Sequence, residues 1–262
     1  MRRCPRYAAR RYARHEEQFE LCPGIAEVYS GPYIAFFAHP TPQHVAEAFE
    51  LVNEIIDEDG PFDGIMGFSQ GASLAASLLL QRQLDHPSKP PQFQFAIFIC
   101  GLLPFSPHPD FHKELYDDFR HQAANAPRAS PNEKITLVRS AFNNDIEWMS
   151  AVSSAITKRP SAAVAQQVIA MFESLKGNSR QSMPTAWHPL WDAPRIDIPT
   201  AHIIGAKDSW MPQSLLLKEL CVEGQSRLFD HRGGHEVPRS ETVAKGIADC
   251  IVWAADKANF GT

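Results

Sequence analysis

The chain has 262 residues and a formal net charge of −5, with 44% hydrophobic and 21% charged residues. This length suits a single globular domain over residues 1–262 with a sizeable core, and the acidic balance argues against a nucleic-acid-binding protein. We expect no membrane span, because no apolar run reaches the roughly 18 residues that one needs, and no secretory signal, because the start lacks an apolar segment.

The chain opens with a basic stretch over residues 1–18. Six arginines precede the first acidic residue, Glu16. An arginine-rich, acid-free start is typical of a mitochondrial presequence, although only the composition of that pattern is met. The alternatives are a disordered or loosely helical basic arm and a misassigned start of translation. We predict a basic arm on a cytoplasmic protein, with a mitochondrial location as the second interpretation.

The next segment alternates helical and strand patterns. Residues 43–57 place apolar side chains at a spacing near 3.6, which predicts a helix. A strand over residues 62–66 leads to the pentapeptide Gly67-Phe68-Ser69-Gln70-Gly71, and a small-residue helix follows over residues 72–80. The continuous apolar run at residues 95–100 is typical of a central parallel strand covered on both faces.

Residues 102–196 differ in character from the rest of the chain. Prolines cluster at both ends, and two helical stripes lie between them without a strand pattern. We interpret this segment as a helical lid inserted into the α/β frame. Its tryptophans, Trp148, Trp187 and Trp191, are candidates for lining an acyl pocket, although aromatic side chains are more often plain core.

The alternating pattern resumes after residue 196. We predict a strand at residues 200–205, a short helix at 215–220, a short strand at 227–229, and a C-terminal helix striped by Val243, Ile247 and Ile251. Strands that alternate with helices predict a mostly parallel, doubly wound sheet.

The pentapeptide around Ser69 has the form G-x-S-x-G between a strand and a helix. In that context the motif predicts a nucleophile elbow, in which a strained turn projects the serine hydroxyl above the sheet. We expect the flanking glycines to let neighbouring backbone approach the turn without a Cβ clash. The alternative is a tight strand-to-helix turn with a solvated serine.

A serine hydroxyl needs a base, and the base needs an acid to fix its tautomer. Asp208 follows the strand that ends at Gly205, where parallel sheets gather their sites. Its alternative role is a cap on the following helix. Asp192 and Asp197 are weaker candidates for the acid, because both precede the strand.

His235 is the candidate base, because it follows the acid in chain order and lies in a loop after the last short strand. Two glycines precede it, which we expect to let the loop fold tightly and aim the imidazole across the sheet edge. His231 is the competing histidine. His202 lies within a predicted strand, and we assign it to the core.

Four motifs together carry a family resemblance: Gly60-Pro61-Phe62-Asp63-Gly64, Gly67-Phe68-Ser69-Gln70-Gly71-Ala72, Gly205-Ala206-Lys207-Asp208 and Gly233-Gly234-His235-Glu236-Val237-Pro238. From about residue 45 onward, outside most of the insertion, the chain resembles the fungal family of small serine hydrolases with the α/β-hydrolase fold. That family includes stand-alone thioesterases that release polyketides from their synthases. It is related more distantly to acyl-protein thioesterases and carboxylesterases.

The resemblance implies Ser69 as nucleophile, His235 as base and Asp208 as orienting acid. The backbone N–H of Gln70 would serve the oxyanion, and Trp210 and Met211 are candidate substrate-binding residues. The implied substrate is a small-molecule ester or acyl thioester with a hydrophobic acyl group, either free or bound to an acyl carrier protein.

One departure from the family concerns the start of the chain. The family usually opens with a strand and a His-Gly loop that supplies one oxyanion donor, and no such segment precedes residue 60. Residues 19–27 look like the family's second strand instead, so the first strand is expected to be missing. Three explanations stay open: the basic arm substitutes, the enzyme is impaired, or the true start lies upstream.

The leading hypothesis is a hydrolase of esters or thioesters. The alternatives are a hydrolase-like binding protein with impaired catalysis and an acyltransferase that uses the same acyl-enzyme. We predict no metal, nucleotide or flavin cofactor. The chain contains five cysteines without C-x-x-C spacing, which predicts free thiols in a reducing compartment.

Overall fold

A computed structural model describes residues 35–37, 40–111, 113–114, 186–189, 192–238 and 240–261. Within these residues the chain forms four helices and four strands. In chain order they are α1 Pro42–Asp59, β1 Gly64–Phe68, α2 Gln70–Asp85, β2 Phe95–Ile99, β3 Thr200–Ile204, α3 Met211–Glu219, β4 Ser226–Asp230 and α4 Glu241–Phe260.

The four described strands form one parallel sheet in the order β1-β2-β3-β4. Gly64 pairs with Phe95 at the start of β1, and Phe68 pairs with Ile99 at its end. Because all the strands run the same way, their carboxyl ends share one edge of the sheet. The loops after β1, β3 and β4 therefore meet there, as expected for a parallel α/β sheet.

Helices cover both faces of the sheet, and strand β2 shows why. Its alternate residues Ala96 and Phe98 pack with α2 and α3 on one face. Ile97 and Ile99 pack with α4 on the other face. Strands buried on both faces are rich in apolar residues along their whole length, which explains the continuous apolar run of β2. The predicted doubly wound sheet is confirmed over the described residues.

The predicted elements have the right type, and their ends move by a few residues. Strand β1 lies two residues later than the predicted segment 62–66, because its ladder with β2 continues to Phe68. Helix α1 begins at Pro42 because the Thr41 side chain accepts the His44 N–H, at 3.3 Å. Side-chain capping of this kind fixes a helix start that apolar spacing alone leaves open.

The two described ends of the predicted lid lie side by side. Phe105 and Ala186 form an antiparallel bridge, and the Trp187 N–H donates to the Pro104 carbonyl at 2.8 Å. The intervening residue 112 and residues 115–185, with Trp148, lie outside the described residues, as does Trp191. Trp187 is 1% exposed and packs in the core, so the core interpretation holds for it.

The basic arm at residues 1–18 and the segment compared with the family's second strand lie outside the described residues. Across the part of the chain that the structure describes, no helix combines the length and the hydropathy needed to cross a membrane.

Candidate active site

Ser69 lies at the junction of β1 and α2 in a strained conformation. Its φ is 54° and its ψ is −119°, a region that residues with a Cβ rarely adopt. A hydrogen bond to the neighbouring strand β2 stabilises the turn, because the Ser69 N–H donates to the Ile99 carbonyl at 2.9 Å. The predicted sharp strand-to-helix turn is therefore present.

The two glycines of the pentapeptide play different parts. A Cβ on Gly67 would stand 2.3 Å from the carbonyl carbon and oxygen of Gly71, so only glycine fits there. A Cβ on Gly71 would meet only the Phe36 ring, at an ordinary 3.7 Å. The prediction that both glycines are needed for close backbone approach holds for Gly67 and is wrong for Gly71.

Asp208 uses its two carboxylate oxygens for two purposes. Oδ1 accepts the Trp210 N–H at 2.8 Å, so the carboxylate closes the turn before α3. Oδ2 lies 2.8 Å from His235 Nδ1, and the side chain is 1% exposed. The local turn and the contact with histidine are thus compatible, because the turn aims the second oxygen.

His235 bridges Asp208 and Ser69, with its Nε2 2.8 Å from the serine Oγ. The ring is 18% exposed. The loop that carries it packs tightly on β3, since a Cβ on Gly205 would stand 2.5 Å from the Gly233 and Gly234 carbonyl oxygens. Of the paired glycines, a Cβ on Gly233 would clash with His231, whereas one on Gly234 would meet open space.

The hydrogen-bond donors and acceptors of Asp208, His235 and Ser69 show which reaction these three groups can carry out. A carboxylate can only accept, so Nδ1 of His235 carries a proton that it donates to Asp208. In the neutral ring Nε2 is then free to accept the Ser69 hydroxyl proton. This arrangement can raise the nucleophilicity of a serine, as general-base catalysis requires.

The competing candidates lie elsewhere or bind other groups. Asp192 accepts the His188 N–H at 2.6 Å, and Asp197 lies near the opposite, amino-terminal end of β3. His202 is 1% exposed inside β3 and packs against Phe98 with ring centroids 5.2 Å apart, which confirms its assignment to the core. His231 lies beside the site, with its ring against Gly205 and Gly233.

The Gln70 side chain makes two bonds that sequence reasoning did not foresee. Its Oε1 accepts the Phe36 N–H at 2.8 Å, and its Nε2 donates to the Phe37 carbonyl at 2.7 Å. These bonds fix residues 35–37 against the start of α2, next to Ser69. The backbone N–H of Gln70 belongs to the first turn of α2, where N–H groups have no acceptor within the helix.

Partly exposed apolar side chains border the serine. The Phe68 ring packs on His235 with centroids 5.2 Å apart, and the residue is 39% exposed. Trp210 is the N-cap of α3 and Met211 is its first residue, shortly after Asp208 in the chain, and both are partly exposed. Phe68 carried no signal in the sequence beyond its place inside the pentapeptide.

Cys100 is a second neighbour that the sequence did not single out. Its thiol, the Asp208 carboxylate and the His235 ring offer donor atoms within 4.8 Å of one another, a set that zinc can use. Asp208 and His235 already bond to each other, however, and burial, with the charge of Asp208, raises the pKa of the Cys100 thiol to about 12.

Comparison with known proteins identifies a family for the chain. The profile of the Serine hydrolase (FSH1) family matches residues 13–247. The chain is similar to Esterase alnB of Emericella nidulans, with 29% identity over 91% of this chain and 83% of that protein. It is also similar to Serine hydrolase cnsH of Penicillium expansum, with 25% identity over 88% of this chain and 94% of that protein.

Among solved structures, the chain is similar to esterase LipW from Mycobacterium marinum, with 18% identity, a TM-score of 0.42, and coverage of 87% of this chain and 61% of that one. The serine turn in a parallel sheet and the family match agree with the predicted α/β-hydrolase fold. Because the family profile spans most of the chain, the protein belongs to the Serine hydrolase (FSH1) family, as its motifs indicated.

Proposed function

We propose that this protein hydrolyses esters or thioesters of hydrophobic acyl groups through a Ser69–His235–Asp208 triad. The observation that carries the proposal is the pair of 2.8 Å contacts that His235 makes, one to Ser69 Oγ and one to Asp208 Oδ2. Three residues far apart in sequence converge with the donors and acceptors in the order that acyl transfer needs.

The reaction proceeds in two steps. Ser69 Oγ attacks the acyl carbon while His235 Nε2 takes the hydroxyl proton, and Asp208 stabilises the imidazolium that results. His235 returns that proton to the leaving alcohol or thiol, and an acyl-enzyme remains. Water then attacks the acyl carbon, again losing a proton to His235, and Ser69 leaves with that proton as the carboxylic acid departs.

The developing oxyanion requires hydrogen-bond donors near Ser69. The backbone N–H of Gln70, in the first turn of α2, is our candidate donor. Residues 35–37, which the Gln70 side chain holds at the start of α2, are candidates to supply a further donor.

The proposed acyl preference rests on the apolar border of the site. Phe68 is 39% exposed against the His235 ring, and Trp210 and Met211 are candidates for contacting the acyl chain or the leaving group. The similarity to the fungal protein named Esterase alnB supports ester substrates. A carrier-bound acyl thioester from secondary metabolism, such as a polyketide, belongs to the same proposal.

The test is covalent labelling combined with turnover. A fluorophosphonate probe should label the wild-type protein and leave Ser69→Ala unlabelled. Turnover of nitrophenyl esters and acyl thioesters should fall about 10⁴-fold or more in Ser69→Ala, because the nucleophile is lost. Equal labelling of both proteins would refute the proposal, and ligand binding without turnover would favour a binding protein.

A matched variant guards against misfolding as the cause. Ser73 lies one turn further along α2 and is buried, with its hydroxyl donating to the Leu103 carbonyl at 2.7 Å. Ser73→Ala makes the same serine-to-alanine change close to the site without touching His235. It should keep probe labelling, whereas Ser69→Ala should lose it.

A further inference from the structure

Cys100 lies directly under the loop that carries His235. It is the first residue after β2, its φ is 46°, and it is fully buried. Its backbone N–H donates to the Ile203 carbonyl at 2.8 Å, which anchors it to β3. The strained backbone and the anchor together fix the direction in which the thiol points.

The thiol lies near the carbonyl oxygens of the two residues on either side of His235. The Cys100 Sγ lies 3.7 Å from the Glu236 carbonyl oxygen and 4.0 Å from that of Gly234. It also lies 3.8 Å from Nε2 of His231. The loop from His231 to Glu236 therefore contacts this one side chain at three points.

The tautomer of His231 decides which group donates to the thiol, and the other ring nitrogen of His231 shows which tautomer is present. Its Nδ1 accepts the Gly233 N–H at 3.2 Å, so Nδ1 carries no proton. The neutral ring then has its proton on Nε2, which donates to the Cys100 sulfur. The thiol proton remains available for a backbone carbonyl beside His235 or for the Asp208 carboxylate, which also bonds to the thiol. A connected path therefore runs from His231 through Cys100 to the loop and to the acid that His235 contacts.

We propose that Cys100 and His231 form a positioning pair that holds the His235 loop in register with Ser69 and Asp208. This inference rests on the proposed function. Neither residue touches the reacting atoms. Both act by keeping the imidazole at bonding distance from two partners at once, where a displacement of about 1 Å can cost 100-fold in rate.

The chain contains a matched control pair at a distance from the serine. The buried Cys221 Sγ lies 3.5 Å from Nε2 of His202 and donates to the Leu217 carbonyl at 3.6 Å. This second pair has the same chemistry and burial in the core. Replacing Cys221 therefore tests how much stability and activity the protein loses when any buried thiol beside a histidine is removed.

We expect Cys100→Ala to lower kcat on a nitrophenyl ester about 10- to 100-fold with little change in KM, because positioning acts on the reacting geometry. Cys100→Ser, which keeps a donor, should recover most of this loss. Cys221→Ala should keep wild-type kcat. Thermal unfolding of each variant shows whether the two alanine variants differ in stability.

The two members of the pair should also be coupled. His231→Phe keeps a ring without the donor and should lower kcat as Cys100→Ala does. The double variant should be no worse than the more impaired single variant, since both changes break one path. Additive losses in the double variant would overturn the pairing.

A spectroscopic readout separates this inference from the proposed function. The proton between His235 and Asp208 should give a far-downfield proton resonance in the wild type and in Cys221→Ala, and a broadened or missing one in Cys100→Ala. A sharp resonance with full kcat in Cys100→Ala would overturn the positioning pair. A wild type without turnover would refute the proposed function, while the resonance still decides the role of Cys100.

Discussion

At the scale of single residues, Gln70 has a structural role in its side chain as well as a candidate oxyanion donor in its backbone N–H. Its amide presents an acceptor to Phe36 and a donor to Phe37, so each end of the amide has the matching partner. The bonds link residues distant in sequence, and no local pattern records them. A glutamine inside G-x-S-x-G could therefore be assigned a backbone role from the sequence, but its side-chain partners required the fold.

We predict that Gln70→Ala lowers the free energy of unfolding by about 1–3 kcal/mol, because two partly buried hydrogen bonds are lost. Amide hydrogen exchange at Phe36 should become faster in the same variant. Gln43→Ala is the control, since the Gln43 side chain bonds only to Glu47 among the described contacts and is exposed; it should change stability by less than about 0.5 kcal/mol. Unchanged exchange at Phe36 in Gln70→Ala would contradict the assignment.

At the scale of elements, the junction of β1 and α2 depends on one glycine of the motif. Gly67→Ala would place a methyl carbon 2.4 Å from the Ala72 nitrogen, and neither backbone can retreat. We expect a loss of about 3 kcal/mol or more in the free energy of unfolding. Gly71→Ala has room and lies in a helix, so it should be neutral or stabilising by about 0.4–1 kcal/mol. Urea unfolding of both variants tests this contrast, and equal stabilities would contradict it.

Sequence patterns predicted the type of each described element because the periods of apolar residues follow burial, as at β2 and α4. They predicted the ends less well, because ends depend on side-chain caps and on ladders between strands. Ser240, for example, caps α4 by accepting the Val243 N–H at 3.3 Å. Chain order singled out Ser69, Asp208 and His235, and the structure brings them together; their catalytic roles remain our proposal.

At the scale of the whole molecule, the centre of the sheet holds a titratable group that the chemistry does not use. His202 lies within the fully buried strand β3, where its Nε2 is 3.1 Å from Thr200 Oγ1. Burial lowers the pKa of His202 from 6.5 to about 3. The folded protein therefore keeps this ring neutral at pH values where an unfolded chain would protonate it.

The consequence is a loss of stability in mild acid. Above pH 6.5 both states are neutral and His202 contributes no pH dependence. Between pH 6.5 and about 3 only the unfolded chain binds the proton, so acid favours unfolding. From pH 7 to pH 5 this residue alone should cost about 2 kcal/mol. In His202→Phe the new ring keeps a contact with Phe98 and cannot titrate. When the free energy of unfolding is measured with urea at pH 7 and pH 5, it should fall by about 2 kcal/mol less in this variant than in the wild type. An equal fall in the wild type and the variant would mean that the folded protein protonates His202 as readily as the unfolded chain does, and would contradict the prediction.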